Sequence, residues 1–274
     1  MTTNSDETIR VVPFLKWAGG KRWLISSYPE VFPSKFNRYI EPFLGSGAVF
    51  FHLKPREALL SDVNADLLNT YGVVRNRWRL LEKALSVHQR LHSDTYYYKL
   101  RSSLLETNLE RAARFIYLNR TCWNGLYRVN KQGQFNVPRG SKDSVLLDTD
   151  TLGLASKCLK KAILQVSDFE LSVDEANRGD FLFVDPPYTV KHNHNGFIKY
   201  NDKIFSWDDQ VRLRDAIFRA KSRGAFIVMT NANHESVREL YKKFQQRALQ
   251  RHSVLSGSVA GRGATEELLV TSRV

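Results

Sequence analysis

Cysteine is scarce in this chain: Cys122 and Cys158 are the two in 274 residues. They have no metal-ligand spacing between them, so free thiols are expected rather than a disulfide or a metal site. Neither has the histidine-and-carboxylate neighbourhood of a nucleophile. The seven histidines form no HExxH pattern. His192 and His194 stand two apart with no cysteine or carboxylate cluster beside them, and read as a solvated loop. No metal is expected. Apolar runs long enough to span a bilayer are lacking too. The first ten residues are polar and acidic, not a basic stretch leading into an apolar one. That speaks against a secretory signal and for a cytoplasmic protein. No internal repeat or low-complexity tract is visible.

What is abundant is positive charge. Forty-one lysines and arginines against 28 acidic residues leave a net charge of +13. Such a balance favours a polyanionic partner, nucleic acid first and an anionic membrane second. No lipidation signal or isolated basic amphipathic helix supports the membrane. The length suits one large domain, or a domain carrying a sizeable insertion.

Three parts follow one another. Residues 14–71 alternate apolar segments with glycine turns. Residues 72–145 are rich in Arg, Tyr and Asn and read mostly helical. From 151 onward helix and strand alternate again. There, 162–166 and 181–184 are short apolar strands. Ser206 and Asp209 form a capping-box pattern ahead of Trp207, Val211, Leu213, Ile217 and Ala220, which share a helical face. Gly224 ends that helix, 225–230 is a buried strand, and 235–244 a helix. Strands near 248–255 and 267–271 flank a glycine-rich stretch at 257–263. The alternation predicts a largely parallel sheet with helices on its faces and a final antiparallel pair. Ligands of such sheets bind beyond the carboxyl ends of the strands.

Four segments carry chemistry. Phe14-Leu15-Lys16-Trp17-Ala18-Gly19-Gly20-Lys21 offers a flat ring and a cation around a close-approach turn; a plain surface turn with a core tryptophan explains it equally. Tyr39-Ile40-Glu41-Pro42-Phe43-Leu44-Gly45-Ser46-Gly47 is a strand running into a glycine turn that opens a helix. It lacks the Lys-Ser/Thr end of a Walker loop, and Phe50 stands where a third dinucleotide glycine would be. With acidic Glu41 at the turn, a cationic nucleoside such as S-adenosylmethionine suits it better than a phosphate. Asp62, after the apolar Ala58-Leu59-Leu60, can bind ribose hydroxyls or cap a helix. The fourth is Asp185-Pro186-Pro187-Tyr188, directly after Phe181-Leu182-Phe183-Val184. The prolines end the strand and leave carbonyls free. A carboxylate and a proline carbonyl can accept both hydrogens of a planar NH2, orient it and stabilise the charge that develops as a methyl group arrives. Tyr188 can stack on the base.

On these motifs the chain resembles the Dam-type, alpha-group N6-adenine DNA methyltransferases over nearly its whole length. The resemblance implies an α/β, Rossmann-like S-adenosylmethionine-dependent methyltransferase fold with a mostly helical target-recognition insertion carrying a β-hairpin. Residues 1–71 and 146–274 would be catalytic and 72–145 the insertion. By matching position Trp17, Lys21, Glu41, Gly45, Gly47, Asp62 and Asp185 would contact S-adenosylmethionine. Asp168 would meet its adenine, and Asp185, Pro186, Pro187 and Tyr188 would form the pocket for the target base. Trp123, Asn124, Leu126, Arg128 and Pro138 would bind DNA. The hairpin arms are expected at 126–130 and 134–137, joined at 131–133. A two-stranded ribbon fits the major groove, although a structural hairpin with solvated charges reads the same way. Trp123 would wedge into the duplex near a flipped base, and 124–128 matches the part of the family that reads GATC. Double-stranded DNA, and in some hosts a cognate restriction endonuclease, would be the partners of a monomer. A methyltransferase for an RNA base or a protein amide would usually carry Asn before Pro-Pro-Tyr and lack this insertion. A non-enzymatic nucleic-acid-binding module would not need the intact Asp185 motif.

Overall fold

The computed structural model describes residues 10–130, 132–191, 205–252 and 264–272. The chain forms two compact units, Met1–Ile25 with Gly45–Pro55 and Asn64–Ala162, and Ser26–Leu44 with Arg56–Val63 and Ile163–Val274.

The second unit holds the sheet. Its strands are β1 (Tyr39–Glu41), β2 (Ala58–Asp62), β3 (Ala162–Val166), β4 (Phe181–Val184), β5 (Phe226–Ala232), β6 (Gln245–His252) and β7 (Ala264–Thr271), in the order β3-β2-β1-β4-β5-β7-β6. β2, β1, β4 and β5 run parallel, in register Tyr39 with Ala58 and Phe181, and Phe181 with Phe226. β7 is antiparallel to both β5 and β6. The expected strands are therefore present, with the parallel core and the antiparallel pair; residues 253–255 of the strand expected near 248–255 lie outside the described residues. β1 and β4 are buried at every residue, as strands covered on both faces must be. Helix Trp207–Ser222 packs Leu213, Ala216, Ile217 and Ala220 into this core beside Ile40, Leu182, Val184, Ile227 and Met229. Ser206 and Asp209 close the expected capping box. The helix from Glu235 ends at Leu240, short of the expected 244. Phe244 instead donates to the Tyr241 carbonyl in a turn that lets β6 start at Gln245.

The first unit is helical. Asn64 caps the long helix Ala65–Leu91, accepting from Leu67 N–H at 3.0 Å. That helix kinks at Arg77, whose φ is −139°. It packs against Asn108–Thr121 and Leu152–Leu159. Asn108–Thr121 starts in a Thr107–Glu110 capping box and ends where the expected hairpin begins. Among the described residues no helix is long and apolar enough to cross a membrane. The glycine-rich stretch at 257–263 and the pair His192 and His194 lie outside the described residues.

Candidate active site

Strand direction gathers acidic side chains at one edge of the sheet. β1 ends on Glu41 and β2 on Asp62, and Asp185 follows β4. The segment after β3 joins them, because Ser167 N–H donates to the Asp62 carbonyl at 3.2 Å. Glu41 is buried. Burial first, then the neighbouring Glu41 carboxylate, holds the Tyr39 phenol well above its ordinary pKa. Asp62 is half-buried, and the helix cap it might have supplied is made by Asn64. Asp168 caps helix Phe169–Asp174 through Glu170 N–H at 2.9 Å, and the same Oδ1 pairs with Arg212 at 2.8 Å. Arg212 lies over the Phe169 ring, which stacks on Phe43 of the Glu41 turn.

The Asp185 motif leaves the sheet as its residue types require. Pro186 is buried and Pro187 half-buried, and neither can donate to a ladder. Thr230 on β5, fully buried, donates its hydroxyl to Asp185 Oδ1 at 2.8 Å. Tyr188 donates its hydroxyl to Glu267 Oε2 at 2.6 Å, and Arg251 donates to Glu267 Oε1 at 2.8 Å. Desolvation, with the Asp185 and Glu267 carboxylates nearby, drives the Tyr188 phenol far above its usual range. It is a neutral donor at any physiological pH. Thr189 anchors the following chain through its hydroxyl on the Phe205 carbonyl at 2.6 Å.

In the helical unit the other expected residues fall into two groups. Trp17 and Gly45 meet: a Cβ built on Gly45 would stand 2.7 Å from Trp17 Cδ1, and Gly45 has φ +47°. Both sterics and backbone demand glycine there. Gly45→Ala is expected to lose about 1–3 kcal/mol through overpacking, read as a lower urea midpoint at unchanged slope. Gly47, at φ +61°, is the cap of helix Ala48–Leu53. Lys21 is buried with Nζ donating to the Gly19 carbonyl at 2.6 Å.

The second group is the turn expected to bind DNA. Trp123, Asn124, Arg128 and Pro138 are exposed and Leu126 is half-buried. Asn124 and Gly125 are both left-handed, at φ 52° and 65°, and Trp123 N–H donates to the Pro138 carbonyl at 2.9 Å. The hairpin is sparser than expected. Its described residues pair antiparallel at two isolated bridges, Cys122 with Arg139 and Val129 with Phe135. Asn130 explains part of this, since its Oδ1 accepts from Gln132 and Gln134 N–H and turns the chain locally. Arg128 Nε donates to Asn136 Oδ1 across the ribbon at 2.8 Å.

Several residues here escaped the sequence reading. Trp17 stacks on Tyr127 at 5.6 Å and on Phe115 at 6.4 Å. Asn119 clamps both the N–H and the carbonyl of Lys16. Thr230, Glu267 and Arg251 supported no reading because they adjoin the motif through the sheet, not along the chain. Cys122 is a buried free thiol pushed up to about 11, and Cys158 is free as well. Among the described residues no group of His, Cys, Asp or Glu is arranged to hold a metal ion.

The family model for D12 class N6 adenine-specific DNA methyltransferases matches residues 17–254. The type II methyltransferase M1.LlaDCHI of Lactococcus lactis subsp. cremoris is 38% identical over 273 residues, covering 96% of each chain. The type II methyltransferase M.MjaIII of Methanocaldococcus jannaschii is 37% identical, covering 86% of this chain and 90% of its own. A DNA adenine methylase of Haemophilus influenzae is 33% identical, covering 87% of this chain and 86% of its own.

Proposed function

The chain belongs to the D12 class N6 adenine-specific DNA methyltransferases, and from that premise we propose that it methylates adenine in double-stranded DNA with S-adenosylmethionine as donor, at GATC. The observation that carries the chemistry is the placement of Asp185 at the carboxyl end of β4 with one oxygen held by Thr230. An adenine amino group would donate one hydrogen to the Asp185 carboxylate and the other to the Pro186 carbonyl. That holds N6 in one orientation and offsets the positive charge that grows on it during transfer. An adenine within the duplex cannot present N6 this way, so it is flipped out and stacked on Tyr188.

The donor set suits the proposed cofactor. Glu41 and Asp62 are carboxylates at strand ends and Asp168 follows β3, able to meet the cationic end of the cofactor, its ribose and its adenine. They would repel a phosphate. When bound, S-adenosylmethionine supplies the electrophilic methyl group. Trp17, Lys21, Gly45 and Gly47 are assigned to the same cofactor by their match to the family motif.

Residues 72–145 are the proposed recognition insertion, with Trp123 as the wedge and Asn124, Leu126, Arg128 and Pro138 as DNA contacts. The exposure of Arg128 on a two-arm turn, with its guanidinium held by Asn136, supports base readout. Arginine can donate two hydrogen bonds to guanine O6 and N7, worth roughly 1–3 kcal/mol of discrimination. Arg128→Ala is therefore expected to lose its preference for GATC over sites altered at one guanine. A uniform drop in affinity for all sequences, with a salt slope shallower by about one unit, would make Arg128 a phosphate contact instead. Two relatives are named type II methyltransferases. By that likeness the chain would protect host DNA against a cognate restriction endonuclease; separately, a monomer in the cytoplasm is the form proposed for it. Mapping of methylated sites in DNA from expressing cells tests the GATC assignment. Methylation confined to another motif would overturn it.

A further inference from the structure

We propose that Glu267 is a positioning residue for the stacking ring: it fixes Tyr188 through the phenolic hydroxyl. The proposal rests on the reading of Tyr188 as the ring that stacks on the target adenine. A tyrosine side chain has two rotatable bonds. The first swings the ring as a whole, and the second turns its plane. A single acceptor at the hydroxyl restrains both. It anchors the far end of the ring in place, and because a phenolic O–H prefers to lie in the ring plane, its direction biases that plane.

Glu267 has the properties such an acceptor needs. It is 5% exposed and sits on β7, opposite Ala232 of β5 and Leu249 of β6, so its backbone is held on both sides. Its two oxygens have separate partners, Tyr188 at 2.6 Å on Oε2 and Arg251 at 2.8 Å on Oε1. The arginine locks the carboxylate, and the carboxylate locks the phenol. Hydrogen bonds to an ionised acceptor are the short, directional kind. A buried ion pair is a weak source of net stability. Its place against this phenol points to orientation as its contribution. Thr230 extends the support from β5, holding Asp185 at 2.8 Å. The acceptor of the amino group and the stacking ring are thus set from adjacent strands.

The test is a double-mutant cycle on the full chain, with turnover measured at saturating DNA and cofactor. Tyr188→Phe keeps the ring and removes the hydroxyl. Tyr188→Phe and Glu267→Ala are each expected to lower kcat about tenfold, with KM for DNA changed little. Together they should be no worse than the worse single variant. Glu267→Ala takes a carboxylate away from the half-buried Arg251; if it fails to fold, Glu267→Leu combined with Arg251→Met replaces it in the cycle. Additive losses, or wild-type kcat in Tyr188→Phe, would overturn the proposal while leaving the stacking reading intact. Wild-type kcat in Tyr188→Ala would instead overturn the stacking reading and the proposal with it.

Discussion

Asp185→Ala should lower the rate of methyl transfer about 10²-fold or more. The carboxylate is the charged acceptor at the end of β4, already oriented by Thr230 before any substrate arrives. Removing a preorganised group that meets developing charge costs about 10²-fold or more in rate. The side chain is half-buried rather than central to the core, so the fold should survive. Circular dichroism and the urea midpoint serve as controls. The loss should appear in single-turnover rates, with duplex affinity changed much less. Turnover near wild type in a folded Asp185→Ala would remove the residue from the chemistry.

The largest effect on stability is expected at Arg120. Its side chain is 1% exposed and fully engaged at the guanidinium tips. Two parallel bonds of 2.6 Å reach Asp150, one of 2.6 Å the Val145 carbonyl and one of 2.9 Å the Phe14 carbonyl. One residue at the end of helix Asn108–Thr121 thus ties the segment before Trp17 to the chain that returns from the turn at Trp123 to Pro138. Arg120→Ala takes the guanidinium from a half-buried carboxylate, which keeps its bond from Leu147 N–H, and from two carbonyls, a loss of about 3–5 kcal/mol. Arg120→Lys should rescue little, since an ammonium cannot reproduce the planar fork. Denaturant unfolding of both variants checks this. A loss under 1 kcal/mol for Arg120→Ala would show that the site relaxes or hydrates easily.

How much of this was legible beforehand follows from the distance over which each contact acts. Local chemistry was readable. Phe181–Val184 followed by two prolines can only be a strand that stops, and Ser206 with Asp209 can only gain by capping. The order of motifs then located the carboxylates. Pairings between remote segments were not readable. Tyr188 and Glu267 are 79 residues apart, and the Asn119 clamp on Lys16 spans 103. Arg120 read as one charge among 41 cations, although burial makes it a structural hub. The hairpin expected at 126–137 is sparser in the structure than the sequence suggests, because side-chain bonds from Asn130 compete with the ladder there. Trp17 was read for a ligand, and its ring proved also to be part of a stack with Phe115 and Tyr127.

The central claim is that this chain transfers a methyl group to the exocyclic nitrogen of adenine in duplex DNA. The direct measurement incubates the purified protein with S-adenosylmethionine carrying a labelled methyl group and unmethylated double-stranded DNA, then digests the DNA to nucleosides. The account predicts label in N6-methyldeoxyadenosine, absent with Asp185→Ala and absent when RNA or protein replaces DNA. Label in a methylated cytosine, in RNA or in protein, or no transfer by a folded protein that binds the duplex, would contradict it.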